Sequence, residues 1–180
     1  MFDKLIDLLV TFIHDILPFK IVDQWEKGVH LRFGKYQQVV EPGLNWKIPF
    51  FDQILTTPVI TQTVNLSPQT VTSEDEKTVV LTSIVRYHIY DVRKFLLGVM
   101  HANDVLVDTT QGIIRDIVEG CKWSDLYDLG SVVTPEVNEQ VEQWGITVEQ
   151  ISFPDLAEIV TYRIMTESKH NSIPIMNQSE

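Results

Sequence analysis

Trp25-Glu-Lys-Gly28-Val-His-Leu-Arg32-Phe-Gly34-Lys-Tyr36, continued by Val40-Glu-Pro42-Gly43-Leu-Asn-Trp46-Lys-Ile-Pro49-Phe-Phe51-Asp52, is a run of short β-favouring segments punctuated by turn residues. Gly28, Gly34 and the Pro42-Gly43 pair fall between those segments, and Pro followed by Gly at the two central positions suits a type II turn. A β-meander is the expected local structure. Pro49 has no N–H to give to a ladder, so it should end the strand that begins near Leu44 and leave Phe50 and Phe51 at a strand end.

Working outward, Ile54 to Tyr90 is also strand-rich. Ile60 to Leu66 alternates, Ser67-Pro68 breaks it, and Glu74-Asp-Glu-Lys77 reads as a charged, solvated hairpin tip. The longest strand is expected from Thr78 to Tyr90. It would put Val79, Leu81, Val85, Tyr87 and Ile89 on one face, and Val80, Thr82, Ile84, Arg86, His88 and Tyr90 on a second face that is only partly covered.

Helical signals take over at Asp91, which suits the N-cap of a helix through Val99, and Asn103 suits the cap of another through Glu119. Val105, Leu106, Thr109, Ile113, Ile117 and Val118 form the stripe of the second. Gly120 ends it. Thr134-Pro135 reads as an N-cap with Pro in the first helical position, Val137, Val141 and Trp144 face inward, and Gly145 stops the helix. Ile146 to Phe153 reads as a closing strand, so strands with helices on one face give an α+β domain.

The order Gly-Val-x-Leu-Arg-Phe-Gly-Lys-Tyr from Gly28, then Val39-x-Glu-Pro-Gly-Leu-x-Trp46-Lys-Ile-Pro-Phe-x-Asp52, resembles the opening of the SPFH family, also called the band 7 or stomatin/prohibitin domain. Thr72 to Asp75, Tyr90-Asp91-Val92, Arg115-Asp116-Ile117-Val118 and Trp144-Gly145-Ile146 follow in the family's order, and the resemblance covers roughly residues 20 to 156. It implies a membrane-attached, self-assembling, stomatin-like scaffold with no catalytic centre of its own. Two departures stand out. Leu126 to Trp144 is about two helical turns shorter than in typical relatives. After Phe153-Pro154, where relatives continue into a long coiled coil, Leu156, Ile159, Val160 and Ile164 offer only a short seam of candidate oligomer contacts.

The formal net charge is −11, and all of it lies beyond residue 48, since residues 1 to 48 hold six basic and six acidic groups. An acidic body repels phosphate backbones and argues against nucleic acid as a partner. The neutral N-terminal quarter is the part suited to an anionic lipid surface. One cysteine, Cys121, excludes an intrachain disulfide and a Cys-based metal site.

Residues 3 to 17, closed by Pro18, carry polar groups at 3, 4, 7, 11, 14 and 15 and leave Leu5, Ile6, Leu8, Leu9, Phe12, Ile13, Ile16 and Leu17 on a broad apolar face. An amphipathic helix is expected here, about 22 Å long and short of the roughly 30 Å hydrocarbon core. Two placements suit it: the membrane interface, or a protein surface of this chain or a neighbour. The acidic polar face fits the second. The resemblance favours the first, because family members have an apolar anchor just before the Gly-Val-x-x-Arg segment. On that reading Leu5, Ile6, Leu9, Phe12, Ile13 and Leu17, with Phe50 and Phe51, are the candidate membrane contacts. Trp25 and Trp46 suit the interface too, though a core role fits them better than it fits the two Phe residues.

The five histidines are scattered without metal-ligand spacing, and no nucleophile elbow, phosphate loop or dinucleotide fingerprint is present. Cys121 beside Lys122, with His101 as a base, is the one nucleophile pairing, and a buried structural thiol is the simpler account. No catalytic residue, metal or cofactor is expected. The expected organisation is an anchor helix over 1–19, an SPFH domain over 20–154 (strand-rich 20–90, helix-rich 91–154), and a short helix with a loose tail over 155–180. The expected function is a membrane-associated, homo-oligomeric scaffold, the cytoplasmic face being favoured. Its partners would be lipid, further copies of itself and a membrane protein client, such as a protease. The alternative is a soluble adaptor or inhibitor that docks residues 1 to 19 onto a membrane protease or another SPFH assembly.

Overall fold

The computed structural model describes residues 17–160. Its first half is strand-rich as expected, with β1 (Phe19–Val22), β2 (Glu26–Arg32), β3 (Lys35–Val40), β4 (Gly43–Trp46) and β5 (Asp52–Pro58), but the expected meander is corrected, since β2 and β3 alone of these pair as sequence neighbours. β2 is the centre of a three-stranded antiparallel sheet between β3 and β5, while β1 pairs with β4. Arg32 and Lys35 are partners across Phe33-Gly34, which have φ of 50° and 73°. Positive φ at both central residues is the hairpin turn that matches strand twist. Gly43, at φ 121°, supplies the positive φ expected after Pro42. Gly28 departs from its expected place at a strand end. It lies inside β2, where an added Cβ would run into the Leu55 carbonyl oxygen of β5.

In the second half, β6 (Gln62–Asn65) and β7 (Gln69–Thr72) lie end to end along one side of β8 (Thr78–Ile89), and β9 (Ile146–Ile159) runs along the other. Three α-helices follow β8 before the chain returns as β9, α1 (Val92–Leu97), α2 (Ala102–Glu119) and α3 (Leu129–Val141), with a short 3-10 turn before and after α3. Val79, Leu81, Val85, Tyr87 and Ile89 are buried together, as the alternation predicts, and Ser83 joins them. Leu106, Ile113, Ile114 and Val118 of α2 and Val133, Val137 and Val141 of α3 complete this core. Val29 and Leu31 of β2 reach it alongside Val92 and Phe95 of α1, so the two halves share one apolar interior. Arg93 adds a link by stacking 4.6 Å over the Tyr36 ring.

Several expectations are corrected. β9, at 14 residues, is longer than the 12-residue β8 and passes through Pro154 instead of closing at Phe153. The register shift between Thr82 and Ile84 sets Phe153 and Pro154 in a bulge opposite Ser83, where proline's missing donor is tolerated. Leu156 and Ile159 therefore lie on a strand, as partners of Leu81 and Thr78, and Val160 follows it directly. Pairing with β8 overrides the helical spacing of those apolar residues.

Helix starts also move. α3 begins at Leu129, with Pro135 inside it. The carbonyl that Pro135 leaves unpaired belongs to Ser131, which is exposed and can bind water. Thr134 is no cap: its hydroxyl donates to Gly130 O at 2.7 Å and accepts from Ile151 N at 3.2 Å. α2 begins at Ala102, and Asn103 instead accepts the Tyr87 hydroxyl proton at 2.9 Å. In its stripe Thr110 and Ile114 are buried, whereas Val105, Thr109 and Ile117 are half-buried. Asp91 does cap α1, accepting from Lys94 N at 3.1 Å, but that helix ends at Leu97. The turn at residues 74 to 76 is pinned, since Asp75 accepts from the Ser73 hydroxyl and, at 3.2 Å, from Trp123 N. The Ser73 hydrogen bond holds the Asp75 carboxyl below the usual range, against the cost of burial.

Candidate membrane-facing surface

Arg32 closes β2 and Asp52 opens β5, and the two are register partners. The guanidinium grips the carboxylate in two places, Nε to Oδ1 at 2.8 Å and Nη2 to Oδ2 at 3.0 Å. Oδ2 also accepts from Ile48 N at 2.9 Å, and His30 Nε2 stands 3.0 Å from it, off the line of a hydrogen bond. The Asp52 side chain has no solvent exposure. The hydrogen bonds from Arg32 hold its carboxyl far below the usual carboxylate range. Desolvation opposes this, while the Ile48 N–H and the Arg32 charge reinforce it.

This ion pair fixes one end of the β2–β5 pairing. Phe33 N donates to Phe51 O at 2.9 Å, Asp52 N donates to Ile48 O at 2.9 Å, and the rings of Phe33 and Phe51 lie 5.0 Å apart at 47°. Phe33 and Phe50 both hold positive φ, 50° and 69°, a conformation that costs energy for residues with a Cβ. Neither ring is buried in return: Phe33 is 71% exposed and Phe50 86%. Trp46, Ile48 and Phe51 are exposed at the same end. Lys47 N donates to Pro18 O at 2.9 Å and Phe19 pairs with Trp46, so β1 brings Leu17 to this end as well. Leu17, Phe19, Ile21, Phe50 and Ile54 line an open cleft of about 800 Å³ there, with Lys20 and Lys47.

The fold thus gathers Phe50, Phe51 and Leu17 of the candidate membrane contacts at one end, the first two exposed and Leu17 half-buried. Leu5, Ile6, Leu9, Phe12 and Ile13 lie outside the described residues. The core placement of the tryptophans is corrected, because Trp46 is 72% exposed and Trp25 52%. Trp46 stands at the aromatic end and Trp25 in the turn just before β2, away from it. Sequence reading missed Phe33 and Ile48. The signal for Phe33 was available: a residue wedged between Arg32 and Gly34 at a hairpin turn has nowhere to point but outward.

The profile described as SPFH domain / Band 7 family matches residues 20–165, which takes in every strand and helix above except the first residue of β1. This chain belongs to the SPFH domain / Band 7 family. It is 32% identical over 160 residues to the protein HflK of Haemophilus influenzae, covering 83% of this chain and 38% of that one. It is 27% identical over 142 residues to the modulator of FtsH protease HflK of Escherichia coli, covering 75% of this chain and 34% of that one. An uncharacterized protein of Methanothermobacter thermautotrophicus is 26% identical over 174 residues, 91% of this chain and 55% of the relative. The chain therefore spans about a third of the length of the two HflK proteins and about half of the archaeal one.

Within this SPFH domain the stretches that carry the resemblance are joints. Tyr90 N and Asp91 N both donate to Gly145 O, at 3.0 and 3.2 Å, which ties the start of α1 to the turn before β9. Gly145, at φ 75°, packs so closely on Asp91 that a Cβ would strike its carbonyl oxygen. Glu74 N donates to Cys121 O at 3.0 Å, and the half-buried Cys121 packs against the main core. Of the candidate oligomer contacts, Leu156 packs against that core, Ile159 and Val160 are exposed, and Ile164 lies outside the described residues. No helix among the described residues is long and apolar enough to cross a membrane, which says nothing of strands.

Proposed function

We propose that this chain is the SPFH part of a membrane-attached scaffold that regulates a membrane protein client, a membrane protease being the client class that the HflK relative's name suggests. The observation that carries this reading is the aromatic end. Phe33, Trp46, Ile48, Phe50 and Phe51 are all exposed at this end, Phe33 and Phe50 at positive φ beside the Arg32–Asp52 pair, and an exposed apolar patch of this kind marks an interaction surface. Aromatic rings favour the bilayer interface, and the amphipathic residues 3 to 17 join the domain at this same end. Residues 5, 6, 9, 12, 13 and 17 would lie in the interface beside Phe50 and Phe51. The acidic remainder would face water, on the cytoplasmic side, and meet the client. Copies would associate laterally, with Ile159, Val160 and Ile164 near the contact.

Flotation of the full chain with liposomes, beside a version starting at Lys20 and with particle mass measured for both, tests this. The full chain is expected to float as an oligomer and the shorter one to float less. A full chain that stays monomeric and ignores lipid at every concentration would sink the proposal. A folded oligomer that ignores lipid and is captured by a membrane protease through residues 1 to 19 would replace it with the adaptor reading.

A further inference from the structure

We propose that the cleft at the aromatic end takes the headgroup of an anionic phospholipid, with Lys47 and Lys20 meeting the phosphate while Trp46 and Phe50 rest among the acyl chains. This rests on the membrane reading above and adds the lipid class. The cleft, about 800 Å³, is of the size that holds small ligands and opens beside the exposed rings. Lys20 Nζ donates to Ile54 O at 3.0 Å and lies 3.4 Å from Thr56 Oγ1, which leaves the third ammonium proton for a ligand. These bonds hold the charge in place within the cleft. Lys47 lines the same cleft on the loop that carries Phe50.

Two acidic residues also line it, Asp52 with its side chain closed to solvent. Asp52 is already saturated by Arg32 and the Ile48 N–H, and Asp23 follows β1 at the end away from Trp46. The wider charge pattern has the same sense. Residues 17–54 carry five basic and four acidic groups, whereas residues 55–180 carry eight and eighteen. In an acidic chain, the end that presents its aromatic rings is the part an anionic bilayer does not repel.

The test is flotation of the full chain with vesicles of phosphatidylcholine alone and of phosphatidylcholine mixed with phosphatidylglycerol, at low and high salt. The wild-type chain is expected to partition better onto the mixed vesicles, with the preference shrinking as salt rises. Lys47→Gln should weaken partition onto mixed vesicles about fivefold and leave the neutral ones unaffected. Its backbone bond to Pro18 is retained, so the fold is kept. Lys20→Gln should add to the loss, and Lys122→Gln, outside the cleft, should do nothing. Equal partition onto both vesicle types, or no response to Lys47→Gln, overturns the lipid-class inference and leaves the membrane reading standing. Release from mixed vesicles by soluble glycerol phosphate would show a free-phosphate site and overturn it as well. Failure to float with either vesicle removes both readings.

Discussion

The Asn138 side chain donates to the Val148 carbonyl and accepts from the Val148 N–H, both at 2.7 Å, so one residue of α3 takes the place of a neighbouring strand along β9. Thr134 does the same for the Ile151 N–H, one turn earlier on the helix. β9 is an edge strand whose only strand partner among the described residues is β8, and an open edge invites pairing with another chain. Its first half is closed by side chains. Asn138→Ala is expected to cost about 1–3 kcal/mol, because both Val148 groups lose their partners. Urea denaturation measures this, and an unchanged midpoint would show that water replaces the amide without penalty.

The Arg32–Asp52 pair makes acid stability readable. The native Asp52 carboxyl is held below its ordinary value of about 4, so its contribution is complete above that range and declines as pH falls toward the lowered native value. Asp75 is shifted in the same direction and acts with the same sign. The unfolding midpoint of the wild-type chain should therefore drop as pH is taken from neutral below 4. Asp52→Asn should be less stable at neutral pH and lose less on acidification. Arg32→Lys should behave much like it, since an ammonium cannot make the two-point contact. Parallel pH profiles for the wild-type chain and Asp52→Asn would refute this account.

How much of this could be read beforehand differs between elements. The β8 alternation gave its buried face residue by residue, because a strand with one covered face has a strict period of two. The β9 extension was hidden because Leu156, Val160 and Ile164 recur at a helical interval, and only the pairing partner Thr78–Thr82 decides otherwise. The start of α3 was misplaced by a sound rule: Thr-Pro is a good opening, but an exposed Ser131 carbonyl makes Pro135 affordable one turn inside. At the candidate surface Phe50 and Phe51 were legible from Pro49. The Arg32–Asp52 grip was not, since it depends on the β2–β5 register, which no local pattern encodes.

Phe33 separates membrane contact from folding. Its left-handed backbone suits Asn better than Phe, so Phe33→Asn relieves strain of roughly 1 kcal/mol while losing the ring contact with Phe51. The two effects are of similar size and opposite sign. Thermal unfolding of the variant should stay near wild type, and its flotation with phosphatidylglycerol-containing vesicles should fall several-fold, as an exposed ring of this size is lost from the interface. Unchanged flotation would remove Phe33 from the proposed membrane-facing surface.

Two glycines with nearly the same backbone angle should respond unequally to alanine. Gly34 (φ 73°) and Gly145 (φ 75°) share the left-handed region, so each substitution carries about 1 kcal/mol of backbone strain. At Gly34 nothing lies within 4 Å of an added Cβ, and that strain is the whole effect. At Gly145 the methyl would meet the Asp91 carbonyl oxygen, and moving away stretches the bonds from Tyr90 N and Asp91 N to Gly145 O. That joint holds α1 against the turn before β9, so Gly145→Ala should cost at least about 2 kcal/mol more than Gly34→Ala. Hydrogen exchange should also quicken at Tyr90 and Asp91 in Gly145→Ala alone. Equal losses for the two variants would mean that α1 and β9 are held together elsewhere.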